Sequence, residues 1–206
     1  ESCFEKIDDE VSTQFKKEYK EGEIKKGRNL LAFEVAKRNV YNFLKLELEL
    51  LEKGDEVQII ALEQTFERTL EDVRLPFPVL IKGNVDRIEL RNGKIRIIDY
   101  KTGKVEQKSV TLKDWNGLTE DIKNDKIIQI LAYAFMFEEQ AKGREIEAGI
   151  ISFKNLKSGF LPFQFKQDKE VAEVISPEIM EAYLEQIVVL LQEIFNMELP
   201  FEEKIN

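Results

Sequence analysis

Residues 83–103 read Gly-Asn-Val-Asp-Arg-Ile-Glu-Leu-Arg-Asn-Gly-Lys-Ile-Arg-Ile-Ile-Asp-Tyr-Lys-Thr-Gly. Two runs of alternating apolar and polar residues flank Asn92-Gly93 in this stretch. An Asn-Gly pair is a strong signal for a two-residue hairpin turn, because both central residues of a type I′ turn need a positive φ. A two-residue loop without a bulge fixes the register, with the facing pairs Arg91–Lys94, Leu90–Ile95, Ile88–Ile97 and Asp86–Asp99. The stretch therefore predicts an antiparallel hairpin around which the fold is organised.

The two faces of this hairpin differ in polarity, since side chains alternate between the faces of a strand. The face expected to meet the core carries Ile88, Leu90, Ile95 and Ile97. Asp86 and Asp99 lie at the far end of that same face, with Asn84 and Lys101 beyond them. The opposite face is expected to be solvated, because it carries the charged residues Arg87, Glu89, Arg91, Lys94 and Arg96.

The facing carboxylates of Asp86 and Asp99 need a compensating cation. Directly opposed residues have Cβ atoms roughly 5 Å apart. At an effective dielectric constant of about 20, two like charges at this separation repel by about 3 kcal/mol. Lys101 on the same face would balance the pair as a structural ion network. A divalent metal ion held by both carboxylates is the other interpretation, and the hairpin alone does not decide between them.

The order and spacing of the polar residues around the hairpin resemble the signature of a known family. The blocks are Gly83-x-x-Asp86-Arg87, Asp99-Tyr100-Lys101-Thr102-Gly103 and, further along the chain, Gln129-x-x-x-Tyr133. Together they resemble the RecB-like exonuclease domains of the PD-(D/E)XK nuclease superfamily. The resemblance implies an α/β fold, with a mixed central sheet of about five strands flanked by helices. This restriction-endonuclease-like core would span about residues 57–165, with helical additions at both ends.

The resemblance also implies a reaction, the metal-dependent hydrolysis of DNA phosphodiester bonds by an exonuclease of DNA repair or recombination. Asp86 and Asp99 would hold Mg²⁺ or Mn²⁺ together with the backbone carbonyl of Tyr100, since hard cations choose oxygen ligands. Lys101 would orient the attacking water or stabilise the charge that develops on the phosphate. Gln129 and Tyr133 would position the site or the substrate backbone. No residue is expected to read base edges, so DNA would bind with little sequence specificity, with a helicase subunit or domain as a further partner.

A third acidic residue, Glu63, has two interpretations. It lies in the apolar run 56–71, which is predicted to be a strand, on the face opposite Leu62. It resembles an acidic residue that often precedes the Gly-x-x-Asp block in this family, and this would add it to the metal ligands. A solvent-exposed glutamate without a role in the site is the alternative.

The rest of the sequence predicts the other secondary-structure elements. Along the chain their order is helices, strand, hairpin, helix, two strands and helix. Apolar periodicity predicts helices over residues 3–20, 28–53, 121–142 and 177–196, and strands over 145–153 and 160–165. Leu31 and Val35 are expected on the inward face of the second helix. Pro162 places the last strand at a sheet edge. This order fits an α/β sandwich that forms a single domain over residues 1–206, or a fragment of a longer protein.

The composition limits the possible chemistry. The chain has one cysteine, Cys3, and no histidine among its 206 residues. A single thiol forms no intrachain disulfide and suggests a reducing, cytoplasmic compartment. The chain alone cannot build the four-cysteine iron–sulfur cluster of some RecB-like nucleases, and histidine zinc sites and histidine bases are excluded. No apolar run approaches the roughly 18 residues of a membrane-spanning helix, so no membrane partner is expected.

The net charge of −9 has the wrong sign for a free-standing nucleic-acid binder. Basic residues would therefore have to act locally, and Lys104, Lys108 and Lys113 either contact phosphates or lie in a solvated loop. Related nucleases carry a histidine near the metal in their first helical region, whereas this chain reads Gly27-Arg28-Asn29-Leu30-Leu31. Two alternatives thus stay open: a catalytically inactive nuclease-like domain that binds DNA or scaffolds a helicase–nuclease complex, and a protein–protein module with an acidic surface.

Overall fold

The computed structural model describes residues 2–20 and 26–200. The chain divides into two compact units, Glu1–Asp55 and Glu56–Asn206. The first unit is helical, and the second contains the hairpin and the sheet.

The first unit is built from the helices α1 (Ser2–Glu5), α2 (Ile7–Tyr19) and α3 (Gly27–Glu52). Its core is formed by Ile7 and Val11 of α2 against Phe33 of α3. The inward face predicted for α3 is wrong at Leu31 and Val35, which are 65% and 49% exposed. The apolar residues of α3 form more than one stripe, and the stripe that packs within this unit contains Phe33, Ala36, Val40 and Leu44.

The predicted hairpin is present in the second unit. The strands β1 (Val57–Leu70), β2 (Val79–Arg91) and β3 (Lys94–Lys101) form an antiparallel meander. Asn92 and Gly93 have φ values of 51° and 85°, the backbone conformation that a type I′ turn requires. The predicted register is confirmed from Arg91–Lys94 to Arg87–Ile98, where the main-chain pairing ends. The carboxylate pair therefore lies just beyond the last paired residues.

The hairpin forms part of a five-stranded mixed sheet, so the predicted α/β class is confirmed. The later strands are β4 (Thr111–Leu112), β5 (Ile146–Ser152), β6 (Phe160–Pro162), β7 (Gln164–Gln167) and β8 (Glu170–Ala172). The main sheet has the order β1-β2-β3-β5-β6, with β5 parallel to β3. β6 lies at its edge, as Pro162 predicted, because proline cannot donate to a further strand.

A second, three-stranded sheet of order β4-β7-β8 was not predicted. The single strand expected over residues 160–165 is in fact two strands, separated by Phe163. The Phe163 side chain is buried, and its amide donates to the carbonyl of Ala148 at 2.7 Å. Burial of this ring turns the chain out of the main sheet, and the following strand pairs with β4 instead.

Two helices complete the second unit, α4 (Asp125–Ala141) and α5 (Pro177–Phe195). α4 packs across the main sheet and also contacts α5, where the hydroxyl of Tyr183 donates to the carbonyl of Ile128 at 3.2 Å. Because α4 has the sheet on one side and α5 on the other, it is buried around most of its circumference. Ser176 caps α5, as its hydroxyl accepts from the amide of Ile179. No helix in the described part of the chain is long and apolar enough to cross a membrane.

The charged face of the hairpin is not solvated as expected, because Arg87, Glu89 and Arg91 are buried. Guanidinium and carboxylate groups alternate along β2 and neutralise one another: Glu89 forms ion pairs with Arg87 and, at 2.6 Å, with Arg91. Glu147 of β5 likewise pairs with Arg96 at 3.1 Å. Paired and hydrogen-bonded charges tolerate burial that isolated charges do not.

Candidate active site

Two aspartates lie where β2 and β3 separate. Asp86 is partly buried on β2, and Asp99 is buried on β3. One oxygen of Asp86, Oδ2, accepts a hydrogen bond from the amide of Tyr100 at 2.7 Å. Main-chain pairing of β2 with β3 ends at Arg87–Ile98, and beyond that point the Asp86 side chain bonds to the amide of Tyr100 on β3. The bond fixes the Asp86 carboxylate beside the Asp99 strand.

Asp99 is held in an environment that disfavours its charge. Only 3% of the residue is exposed, and its pKa is raised mainly by burial, with a further contribution from the charge of Asp86. Lys101 opposes this shift from 2.8 Å, the distance between its Nζ and Asp99 Oδ2. The geometry of that ion pair is not that of a hydrogen bond, and Oδ2 accepts no hydrogen bond from residues 2–20 or 26–200. A buried carboxylate oxygen of this kind favours a cation in contact with it.

Lys101 connects Asp99 to α4. Its Nζ donates to Oε1 of Gln129 at 2.9 Å, and Nε2 of Gln129 donates to the hydroxyl of Tyr133 at 2.7 Å. Gln129 and Tyr133 are four residues apart, so they lie on one face of the helix. The structure therefore brings the predicted residues of the hairpin and of α4 into one continuous polar chain.

The hydroxyl end of Tyr133 lies within the field of both aspartates. Its pKa is raised mainly by burial, while the Gln129 hydrogen bond opposes the shift and the charges of Asp99 and Asp86 add to it. The phenol therefore stays protonated at neutral pH and is available as a hydrogen-bond donor. Both carboxylates therefore contribute to the electrostatic environment of this one phenol.

Gly83 sets the distance between α4 and β2. A Cβ atom at this position would lie 3.1 Å from Cε1 of Tyr133 and 3.2 Å from Cε of Met136. Any larger side chain would push the helix or its aromatic ring away from the strand. The glycine of the Gly83-x-x-Asp86 block thus has a physical role, since it lets Tyr133 approach the strand that carries Asp86.

A buried serine that the sequence analysis missed secures the segment after Lys101. Ser152, at the end of β5, donates to the carbonyl of Gly103 at 2.7 Å and accepts from the amide of Val105 at 3.1 Å. Asn155 adds a third bond, from its Nδ2 to the carbonyl of Val105 at 3.0 Å. Only the parallel pairing of Lys101 with Ser152 could have indicated this role, and that pairing is not visible in the sequence.

Glu63 is exposed and takes an unusual backbone conformation. Its φ of 47° lies in the left-handed region, which a glutamate adopts only at a local cost. It lies between the paired residues Leu62–Arg87 and Gln64–Val85, which places it alongside Asp86. Its carboxylate accepts from Nδ2 of Asn84 at 3.1 Å. A role for Glu63 as a metal ligand remains a prediction.

The donor set suits one hard cation that keeps part of its water shell. Within residues 2–20 and 26–200, no three histidine, cysteine, aspartate or glutamate side chains are grouped to hold a metal ion. The site offers two carboxylates, and one buried oxygen of Asp99 lacks a hydrogen bond. Mg²⁺ commonly binds through one or two carboxylates, with waters and substrate phosphates completing its shell. The residues present fit such an ion, with the Tyr100 carbonyl as a further predicted ligand.

Comparison with known proteins gives a family. Residues 1–205 match the family model of the PD-(D/E)XK nuclease superfamily. A search of curated proteins found no significant match. The match covers both units and includes all three sequence blocks of the site. The five-stranded mixed sheet agrees with the fold of that superfamily. The chain therefore belongs to the PD-(D/E)XK nuclease superfamily, whose members are generally phosphodiester-hydrolysing nucleases that typically use divalent metal ions.

Proposed function

We propose that this protein is a metal-dependent DNA nuclease. The observation that carries the proposal is the buried oxygen of Asp99, which lies beside the charge of Asp86 and in contact with Lys101. A fold that needed only a structural ion pair would gain little from a second carboxylate that raises the pKa of the first. The same arrangement has a use if a divalent cation binds there.

Each residue then has a defined role. Asp86 and Asp99 hold the ion, with the Tyr100 carbonyl and Glu63 as further proposed ligands. The bound ion would activate a water molecule and neutralise charge on the phosphate. The Lys101 ammonium donates to Gln129 and lies 2.8 Å from Asp99, so it would be placed to orient the attacking water or to bind a phosphate oxygen.

α4 fixes the position of this lysine. Gln129 holds the ammonium group, and Tyr133 holds Gln129. A lysine side chain has four rotatable bonds, and its amine acts in catalysis only when it is restrained. Gln129 and Tyr133 are therefore positioning residues in this proposal, rather than groups that react.

The finer assignment is a RecB-like exonuclease that uses Mg²⁺ or Mn²⁺ and acts in DNA repair or recombination in a reducing, cytoplasmic compartment. The resemblance of the three blocks supports it. The family match over residues 1–205 supports one functional domain composed of the two compact units. The net charge of −9 supports a partner, such as a helicase subunit or domain, that supplies part of the binding affinity for DNA.

A second candidate is a catalytically inactive nuclease-like domain that binds DNA or serves as a scaffold. The absence of histidine from the entire sequence favours it, because related nucleases carry a histidine near the metal. The preserved contact of Asp99 with Lys101 favours the active enzyme.

Metal-induced stabilisation separates the two candidates. A ligand that binds only the native state at a hundredfold excess over Kd stabilises it by about 2.7 kcal/mol. The wild-type protein should therefore melt at a higher temperature with Mn²⁺ and cleave end-labelled DNA. Asp99→Asn should lose most of the shift and all cleavage, whereas Lys101→Ala should keep the shift and lose cleavage.

The same experiment contains its own control. Without metal, Asp99→Asn should be at least as stable as wild type, because burial disfavours the charged carboxylate. That result would show that the variant folds, so that its lost metal response is a property of the site. An identical Mn²⁺ response in wild type and Asp99→Asn would contradict the metal site.

The exonuclease assignment has a separate test. An exonuclease needs a free end, so linear DNA should be degraded while covalently closed circular DNA of the same sequence persists. Cleavage of the closed circle at a comparable rate would identify an endonuclease and leave the metal site unaffected.

A further inference from the structure

A second lysine, Lys126, lies on the side of α4 that carries Gln129, the partner of Lys101. It precedes Gln129 by three residues and Tyr133 by seven, a spacing that places all three on one side of the helix. Gln129 is bonded to Lys101, so this side is directed at the carboxylate end of the hairpin. The helix spacing therefore directs Lys126 towards the end of the hairpin that carries Lys101 and Asp99.

Lys126 is engaged only weakly. Its Nζ contacts the carboxylate of the neighbouring Asp125 at 2.9 and 3.3 Å. The two side chains are 30% and 57% exposed, and ion pairs at exposed positions contribute about 0–1 kcal/mol. A phosphate group can compete with such a partner, because it is also an anion with several acceptor oxygens.

The lysine of the candidate site and two lysines of the segment that follows it also have partners. Lys101 binds both Asp99 and Gln129. Lys104 and Lys108 share the carboxylate of Glu106, at 2.6 and 3.0 Å. The Lys126 ammonium lies on α4 itself, and its partner is an exposed neighbour on the same helix turn, so it can exchange that partner for a phosphate at little cost.

The site also needs an additional positive charge. Asp86 and Asp99 outweigh Lys101 by one negative charge, and the molecule as a whole carries −9. The positive charge of a bound divalent ion would be balanced largely by the two carboxylates and the scissile phosphate. The neighbouring phosphates of a polynucleotide therefore require a cation of their own, since phosphate contacts supply most of the sequence-independent affinity for nucleic acids.

We propose that Lys126 is a substrate-binding residue, whose ammonium group contacts a non-bridging oxygen of a backbone phosphate adjacent to the scissile one. The inference rests on the nuclease function proposed above and adds to it the direction of the strand, which leaves the metal site along the first turn of α4. Substrates with a single phosphodiester and no flanking phosphate would not use this contact.

Steady-state kinetics with DNA and Mn²⁺ test the contact. Lys126→Ala should raise KM by about three- to tenfold, the effect of one charged contact at a partly exposed position. The kcat value should stay within about twofold, because the contact is made equally in the bound substrate and the transition state. Lys126→Arg should retain most of the wild-type KM.

Lys123→Ala is the matched control. Lys123 lies one turn earlier, is 83% exposed, and pairs with its own aspartate, Asp121, at 3.6 Å. The Lys123→Ala substitution removes the same charge from the same region of the chain, but Lys123 precedes α4 and lies outside the helix that carries Gln129. Its KM should equal that of the wild type, and both alanine variants should keep the Mn²⁺-induced rise in melting temperature.

Binding provides a readout that does not depend on cleavage. Fluorescence anisotropy of a labelled oligonucleotide is compared between Asp99→Asn and the Asp99→Asn/Lys126→Ala double variant over a range of salt concentrations. Removal of one phosphate contact should make the slope of log K against log salt shallower by about 0.7–0.9.

The outcomes distinguish this inference from the proposed function. If wild type does not cleave but the double variant shows the shallower slope, the nuclease proposal is wrong and Lys126 remains a nucleic-acid-binding residue. If wild type cleaves and Lys126→Ala retains both the KM and the salt slope, the inference about Lys126 is wrong. If Lys123→Ala raised KM as much as Lys126→Ala, the inference would also be wrong, because the effect would then come from the net charge of the region rather than from a specific contact.

Discussion

At the scale of single residues, the site depends on the contacts that Asp86, Asp99 and Lys101 make. The sequence alone placed Asp86, Asp99 and Lys101 on one face, because strand alternation is a strict geometric rule. It could not show that the Asp86 carboxylate would bind the amide of Tyr100. That bond lies beyond Arg87–Ile98, the last paired residues of β2 and β3, and an ideal hairpin pattern contains no sign of where pairing stops.

The first residue-scale prediction concerns Gln129. Gln129→Ala removes the amide that restrains the Lys101 ammonium, and loss of such a supporting partner typically costs about 10- to 100-fold in activity. Thermal stability should change little, by about 1 kcal/mol, because the removed bonds lie at a partly buried edge. Cleavage rate and melting temperature are measured on the same preparation.

Gln140→Ala supplies the control for this comparison. Gln140 is an exposed residue of the same helix, in its last turn. The Gln140→Ala substitution should leave both the cleavage rate and the melting temperature unchanged. A large loss of stability in Gln129→Ala with normal turnover per folded molecule would show that Gln129 serves only the core.

At the scale of elements, the approach of α4 to the sheet could be predicted only in part from the sequence. The Gln129–Tyr133 spacing predicted a shared face, and Gly83 stood in the matching block, but their contact needed the fold. The charged face of β2 was misread for a related reason. Alternating charges predict a solvated face when strand partners are unknown, whereas here carboxylates and guanidinium groups pair across β2, β3 and β5.

The prediction at this scale concerns the end of β5, where Ser152 binds both sides of the segment that follows Lys101. Ser152→Ala would leave the Val105 amide without its partner, a loss that costs about 1–3 kcal/mol at a buried position. Urea unfolding should show this decrease, and hydrogen exchange at Val105 should become faster. Ser158→Ala, at an exposed position, should do neither. Equal unfolding free energies for the two variants would contradict a structural role for Ser152.

At the scale of the molecule, an ion triad connects the segment after β1 to α5. Arg74 binds Asp72 at 2.8 Å and Glu185 at 2.5 Å. The Arg74 hydrogen bonds lower the pKa of Asp72 to about 2, and they also lower the pKa of Glu185. Neither the pairing nor its partner helix was visible in the sequence, since Arg74 and Glu185 are 111 residues apart.

The triad predicts how acid should affect the fold. A carboxylate whose folded pKa lies below its unfolded value of 3.8 stabilises the protein above that pH, and this contribution is lost as the pH falls towards 2. Asp72→Asn should therefore flatten the decline of the urea midpoint between about pH 4 and pH 2. Glu170→Gln, at an exposed position of β8, should leave the decline as it is in wild type. If the urea midpoint of Asp72→Asn fell with pH as steeply as that of the wild type, the triad would not contribute to stability.

The bond from the Tyr100 amide to Asp86 has a spectroscopic consequence. Its acceptor is the same carboxylate proposed to hold the metal ion, so the electron density at this acceptor changes when a cation binds. The nitrogen and proton resonances of one backbone amide should then report whether the site is loaded, without a label or a substrate. Titration of the metal ion followed at that single cross-peak would give its affinity directly, and Asp86→Asn would remove the signal change.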